Sequence, residues 1–125
     1  MLTGGTPTLY VTNLDRSIAF FTQTLGLELK GRPSEGWAEI DAGGGLILGL
    51  HPFSPHAASP GTRGAITVGF DVTETLEMAM GELERRGVRF RTPILDNPGS
   101  PVRLVFFSDP DGNELYLRET RPKRR

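Results

Sequence analysis

The sequence predicts an α+β fold of two tandem βαβββ modules, with curved mixed sheets around a shared cleft. One observation is an internal repeat: Leu9, Val11 and Asn13, a helical stretch and Gly26 recur as Phe70, Val72 and Glu74, a helical stretch and Gly87, at a constant offset of 61. A second is helical periodicity of apolar residues in both copies, and a third is strict alternation in the flanking strands. A repeat of this length points to a pseudo-symmetric domain whose ligand site lies where the halves meet.

Each element follows in order. Thr8 to Val11 reads as the first strand, and Asn13 or Asp15 can cap a helix reaching about Leu25 through Ile18, Phe21 and Leu25. Gly26 ends it, as a glycine after a helix commonly does. Strands are expected at Leu27 to Gly31, Trp37 to Asp41 and Leu46 to Leu50, the last two joined by the turn Ala42-Gly43-Gly44-Gly45. Module one thus spans about 6–51, and the Pro-, Ser- and Gly-rich stretch 52–64 is a linker. Module two, about 65–119, opens with Ala65 to Val72 and continues in a helix from Glu74 to Arg86 with the face Leu76, Ala79, Met80 and Leu83. Strands at Val88 to Arg91, Val102 to Ser108 and Glu114 to Arg118 complete it, with a Pro-rich loop at 93–101 and the turn Asp109-Pro110-Asp111-Gly112-Asn113 between the last two strands. A basic tail occupies 120–125.

Alternation assigns the faces. Leu9, Val11, Val68, Phe70, Val72, Leu115 and Leu117 point beneath the helices, which leaves Thr6, Thr8, Tyr10, Thr67, Gly69, Asp71, Glu114, Tyr116 and Arg118 on the opposite faces. By the same count Trp37 opposes Ala38 and Ile40.

Composition excludes several classes. Fourteen Lys and Arg against fifteen Asp and Glu give a net charge of −1, so no global field recruits nucleic acid or an anionic membrane. The chain has no cysteine, which removes disulfides, thiolate nucleophiles and Cys-based metal sites. No apolar run approaches a membrane span and nothing resembles a signal peptide, so a cytoplasmic location is expected. Gly43-Gly44-Gly45 lacks the following helix of a phosphate loop. No serine lies in a nucleophile elbow.

The opening Leu9-Tyr10-Val11-Thr12-Asn13-Leu14-Asp15-Arg16-Ser17-Ile18-Ala19-Phe20-Phe21, with Leu25-Gly26-Leu27-Glu28-Leu29, resembles the vicinal oxygen chelate superfamily, which includes glyoxalase, bleomycin-resistance protein and extradiol dioxygenase. The closing Phe107-Ser108-Asp109-Pro110-Asp111-Gly112-Asn113-Glu114-Leu115-Tyr116-Leu117 resembles its DPDGN-type terminal hairpin. In metal-using members, two side chains from each module hold one divalent ion. Those positions fall here on Thr6, about Gly49, Thr67 and Tyr116, none a good donor, so no metal and no other cofactor is expected. His51, His56, Glu39, Asp71 and Glu114 are the out-of-register alternatives.

The resemblance implies a homodimer and a small-molecule partner. The expected function is metal-independent binding of a planar or aromatic molecule, as in the drug-sequestering branch. Trp37, Phe107, Val105, Tyr10 and Tyr116 would wall the site, and Thr8, Thr67, Arg103, His51 and Glu114 would orient the ligand. Arg103 can grip a ligand carboxylate or pair with an acid such as Glu39. The rival is an enzyme of the same superfamily, a lyase, isomerase or dioxygenase, using a displaced metal set or acid/base work by Glu114, Tyr116 or His51. A filled-cleft interaction module is the third reading.

Overall fold

The computed structural model describes residues 1, 3, 5–53, 55, 59–62 and 64–121. His56 and the end of the basic tail, 122–125, lie outside them. The chain divides into two compact units, 1–66 with 109–113, and 67–108 with 114–125.

The first unit holds β1 (Thr8–Val11), α1 (Leu14–Ala19), β2 (Glu28–Ser34), β3 (Trp37–Gly43) and β4 (Leu46–Pro52). Its sheet runs β1-β4-β3-β2, with β1 parallel to β4 and the other pairs antiparallel. Asn13, extended, caps α1 by accepting from the Arg16 amide at 2.9 Å. The expected helix to Leu25 is α-helical only as far as Ala19. Phe20–Thr24 is a π turn, in which the Leu25 amide reaches the Phe20 carbonyl at 3.0 Å, and it keeps Phe21 fully buried. Gly26, at φ 76°, then reverses the chain. Leu9, Val11, Ala38, Ile40, Leu48 and Leu50 form the fully buried side of the sheet, beneath α1.

The second unit holds β5 (Thr67–Asp71), α2 (Leu76–Arg85), β6 (Leu95–Asp96), β7 (Val102–Ser108) and β8 (Glu114–Thr120), with sheet order β5-β8-β7-β6. Thr75 caps α2 by accepting from the Met78 amide at 3.2 Å. The strand expected at Val88 to Arg91 does not form, and the edge strand lies at Leu95–Asp96, inside the stretch read as a loop. Beyond the Arg91 amide bond to Phe106 O (2.7 Å), the neighbouring contact is through the Thr92 hydroxyl, and Pro93 has no N–H to extend a ladder.

The turn at 109–113 packs with the first unit rather than with the strands it joins. Asp109 Oδ1 accepts from the Asp111 and Asn113 amides at 3.0 and 2.8 Å, and Asn113 Oδ1 accepts from Gly61 N at 3.0 Å while its Nδ2 donates to Tyr10 O at 3.2 Å. Asp111 Oδ1 accepts from the Thr12 amide, the Thr12 hydroxyl and Arg16 at 3.1, 2.5 and 3.1 Å. Burial pushes the Asp109 carboxyl upward from its ordinary pKa, against the pull of these donors. No helix among the described residues is long and apolar enough to cross a membrane.

Candidate functional site

Each sheet has one face beneath its helix and one open face, and the predicted ligand residues divide between them. On the first unit's open face the parallel register pairs Thr8 with Gly49 and Tyr10 with His51, while Glu39 of β3 pairs with Gly49 from the other side. Tyr10 and His51 rings stand 5.4 Å apart, and His51 and Trp37 rings 6.4 Å apart, so three predicted residues form one aromatic row. Tyr10 is 38% exposed, so its ring is open to a ligand.

Trp37 lies down across the sheet because residue 49 is glycine. A Cβ at Gly49 would meet the far edge of the indole at 2.3 Å and the Thr8 hydroxyl at 3.0 Å. The second unit repeats the device with other residues: a Cβ at Gly69 would meet the Tyr116 ring at 2.1 Å. Tyr116 also tilts against Phe106, with centroids 5.4 Å apart, and the Arg91 guanidinium stands 5.8 Å from the Phe106 centroid. Thr67 donates to Glu114 at 2.9 Å, and Arg91 pairs with the same carboxylate. The second open face therefore unites Thr67, Glu114 and Tyr116 with Phe106 and Arg91, which sequence reasoning missed.

Three predicted residues are elsewhere. Val105 and Phe107 are fully buried, opposite Leu117 and Leu115 on the helix side, and form core rather than ligand wall. Phe106, one residue away, holds the open-face position. Arg103 shares the helix-side parity and is held by two acids from its own unit. Its Nε and Nη2 donate to Glu119 at 3.0 and 2.9 Å, and its Nη1 and Nη2 donate to Glu77 at 3.0 and 2.8 Å. Neither acid is the Glu39 considered from sequence. This pairing brings the Glu77 carboxyl down to about 2, lowers Glu119 as well, and raises the guanidinium further. Arg103 ties α2 to the sheet.

The positions matching the superfamily's metal ligands do not fit a divalent cation in either unit. In the first, Thr6 offers a neutral hydroxyl, and the space of a side chain at Gly49 is filled by Trp37. In the second, the Thr67 hydroxyl is engaged with Glu114, and the other donor is a phenol folded over Gly69. Among the described residues no three His, Asp or Glu side chains gather as a metal cluster. A groove of about 420 Å3 at the entrance to α2, lined by Asp71, Val72, Thr73, Glu74, Thr75, Arg118, Glu119 and Thr120, holds one of the candidates, Asp71. Its carboxylate is taken by Arg118 at 2.6 Å, which lowers its pKa.

The comparisons accord with this architecture. TnmS3, an antibiotic binding protein from Streptomyces sp. CB03234, superposes with a TM-score of 0.77 at 22% identity, over 96% of this chain and 97% of that one. A glyoxalase/bleomycin resistance protein/dioxygenase from Nocardioides gives 0.76 at 24% identity, over 100% and 87%. A superfamily member from Sphaerobacter thermophilus DSM 20745 gives 0.75 at 24%, over 95% and 98%. No curated protein matches the sequence. The superfamily profile matches residues 5–117, and the chain belongs to the glyoxalase/bleomycin resistance protein/dioxygenase superfamily.

Proposed function

We propose that the protein binds a small planar or aromatic organic molecule without a metal ion, as a receptacle rather than a catalyst. The observation that carries the reading is Trp37 folded over Gly49. At a position where metal-using relatives place a donor, this chain has no side chain and an indole occupies the room, presenting π surface beside Tyr10 and His51. Apolar and aromatic walls with a few polar groups are the usual make-up of such sites. Phe106 and Tyr116 offer a similar surface on the second unit's open face. The antibiotic-binding relative TnmS3 supports the choice among superfamily functions.

The acid/base alternative finds less support. The Glu114 carboxylate already accepts from Thr67 and pairs with Arg91, so its oxygens are engaged within the sheet as fixed acceptors. A homodimer belongs to the proposal, and exposed Leu29, Phe53 and Leu95 are apolar surface that a second copy would cover.

The test is a melting-temperature screen with planar aromatic compounds, alongside metal analysis of protein purified without chelator. A saturating ligand stabilises by about 2.7 kcal/mol at a hundredfold excess over Kd, a readable shift. Loss of that shift in Trp37→Ala is expected. Stoichiometric metal that disappears in Glu114→Ala would overturn the reading.

A further inference from the structure

The geometry points to a ligand that is cationic as well as planar: the first unit's open face fits a flat heteroaromatic cation carrying N–H donors. This rests on the proposed function and adds the sign of the charge.

Two adjacent rows across the sheet make the case. One is aromatic, Tyr10, His51 and Trp37; the next is Thr8, Gly49 and Glu39. Glu39 is half-buried and has no ion-pair or hydrogen-bond partner among the described residues. The arginines described in this unit are engaged elsewhere, Arg16 with Asp111 and Arg32 with Asp15 and Glu35, and Lys30 approaches no acid among the described residues within 4.0 Å. Asp41, paired with Glu28, continues the same face and spends an oxygen on the Gly43 amide at 2.8 Å, so the surroundings add negative charge.

His51 contributes an acceptor as well. Its Nδ1 lies 2.6 Å from Pro52 O, and a carbonyl can only accept, so in the tautomer this contact selects Nδ1 is the donor and Nε2 the acceptor. Nε2, the Glu39 carboxylate and the Thr8 hydroxyl are thus acceptors bordering the π faces of Tyr10 and Trp37, and such faces attract cations. An anionic ligand would meet an unpaired carboxylate and the negative faces of two rings. The second unit differs: there Glu114 is met by Arg91 and Asp71 by Arg118.

The test titrates the full chain with two dyes on one ring system, 9-aminoacridine as the cation and acridine-9-carboxylate as the anion. Fluorescence of Trp37, the single tryptophan, reports binding, with calorimetry as the second readout. The cation should bind at least about tenfold tighter, as expected for a hydrogen bond to a charged group. Glu39→Gln, which preserves side-chain shape, should erase most of that preference, and added salt should weaken the cation alone. Equal or tighter binding of the anion, or equal weakening of both dyes by Glu39→Gln, overturns the charge assignment and leaves planar binding intact. Failure of both dyes to bind overturns both proposals.

Discussion

Replacing Gly49 by alanine should separate the stability of the fold from the competence of its open face. The new Cβ would stand 2.3 Å from the indole edge of Trp37, where carbon atoms need about 3.5 Å, so the ring tip must withdraw by roughly 1.2 Å. Backbone strain is not part of the cost, since Gly49 does not occupy the left-handed region. The yielding group is the far end of a half-buried side chain, and turning it off its preferred rotamer costs about 0.5–1.5 kcal/mol. Alanine also restricts the unfolded chain, which returns about 0.4–1 kcal/mol. The two nearly cancel, so urea melts followed by circular dichroism should place Gly49→Ala within about 1 kcal/mol of wild type. Binding should suffer more. A displaced indole loses its stacking geometry, worth about 0.5–1.5 kcal/mol, so affinity for a planar ligand should fall up to about tenfold while the Trp37 emission moves to longer wavelength. A loss of stability above about 3 kcal/mol, well beyond ordinary overpacking, with unchanged Trp37 emission would mean that the backbone yields instead of the ring, and the reasoning would fail.

Gly61→Ala should behave in the opposite way: its Cβ would meet the Asp111 carbonyl oxygen at 1.8 Å and its φ is +82°, so neither side can give. A loss of about 3 kcal/mol or more is expected, read as a lower denaturant midpoint. Arg103→Lys should lower the melting temperature, because one ammonium cannot replace four guanidinium hydrogen bonds to Glu77 and Glu119, yet dye affinity should stay at the wild-type value. Acid sensitivity follows from the lowered carboxyls: the stabilisation from Glu77 is complete above about 4.5 and drains away as the pH falls toward 2, with Glu119 and Asp71 adding in the same direction. Asp109, raised by burial, works the other way, its contribution being present below the ordinary carboxylate pKa and fading as the pH rises through the raised one. Melting temperatures from pH 7 to 2 should decline below 4.5, and Glu77→Gln should flatten that decline.

Alternation made most of the fold legible. Leu9, Val11, Ala38, Ile40, Leu115 and Leu117 are buried as the strand period requires, and Trp37, Tyr10 and Tyr116 stand on the opposite faces. Phe106 and Phe107 defeated it because both are apolar, so a period of two cannot choose between them. The signal that decides was nevertheless present: Leu115 reads inward, and antiparallel pairing puts its partner Phe107 inward with it. The edge strand was misplaced because Val88 to Phe90 has strand composition but little ladder to join. For Arg103 the cross-strand acid pair weighed beside a ligand role is the one that forms, but with Glu119 opposite it on β8 and Glu77 of α2 rather than with Glu39.

The glycines were the least legible feature, and they explain why the duplication fixes the backbone but not the site. Gly49 lies on the closing strand of its unit and is covered by Trp37 from the neighbouring strand, whereas Gly69 lies on the opening strand of its unit and is covered by Tyr116 from the closing one. The offset of 61 that relates the two modules therefore relates neither the glycines nor the rings. A backbone repeat is held by buried residues, where a change of volume costs stability at once. An open face is free of that constraint, and the two units carry the same arrangement, a ring laid over a missing side chain, at different positions. Such independence is expected where an aromatic surface is useful in itself, and not where four donors must meet one ion at fixed distances.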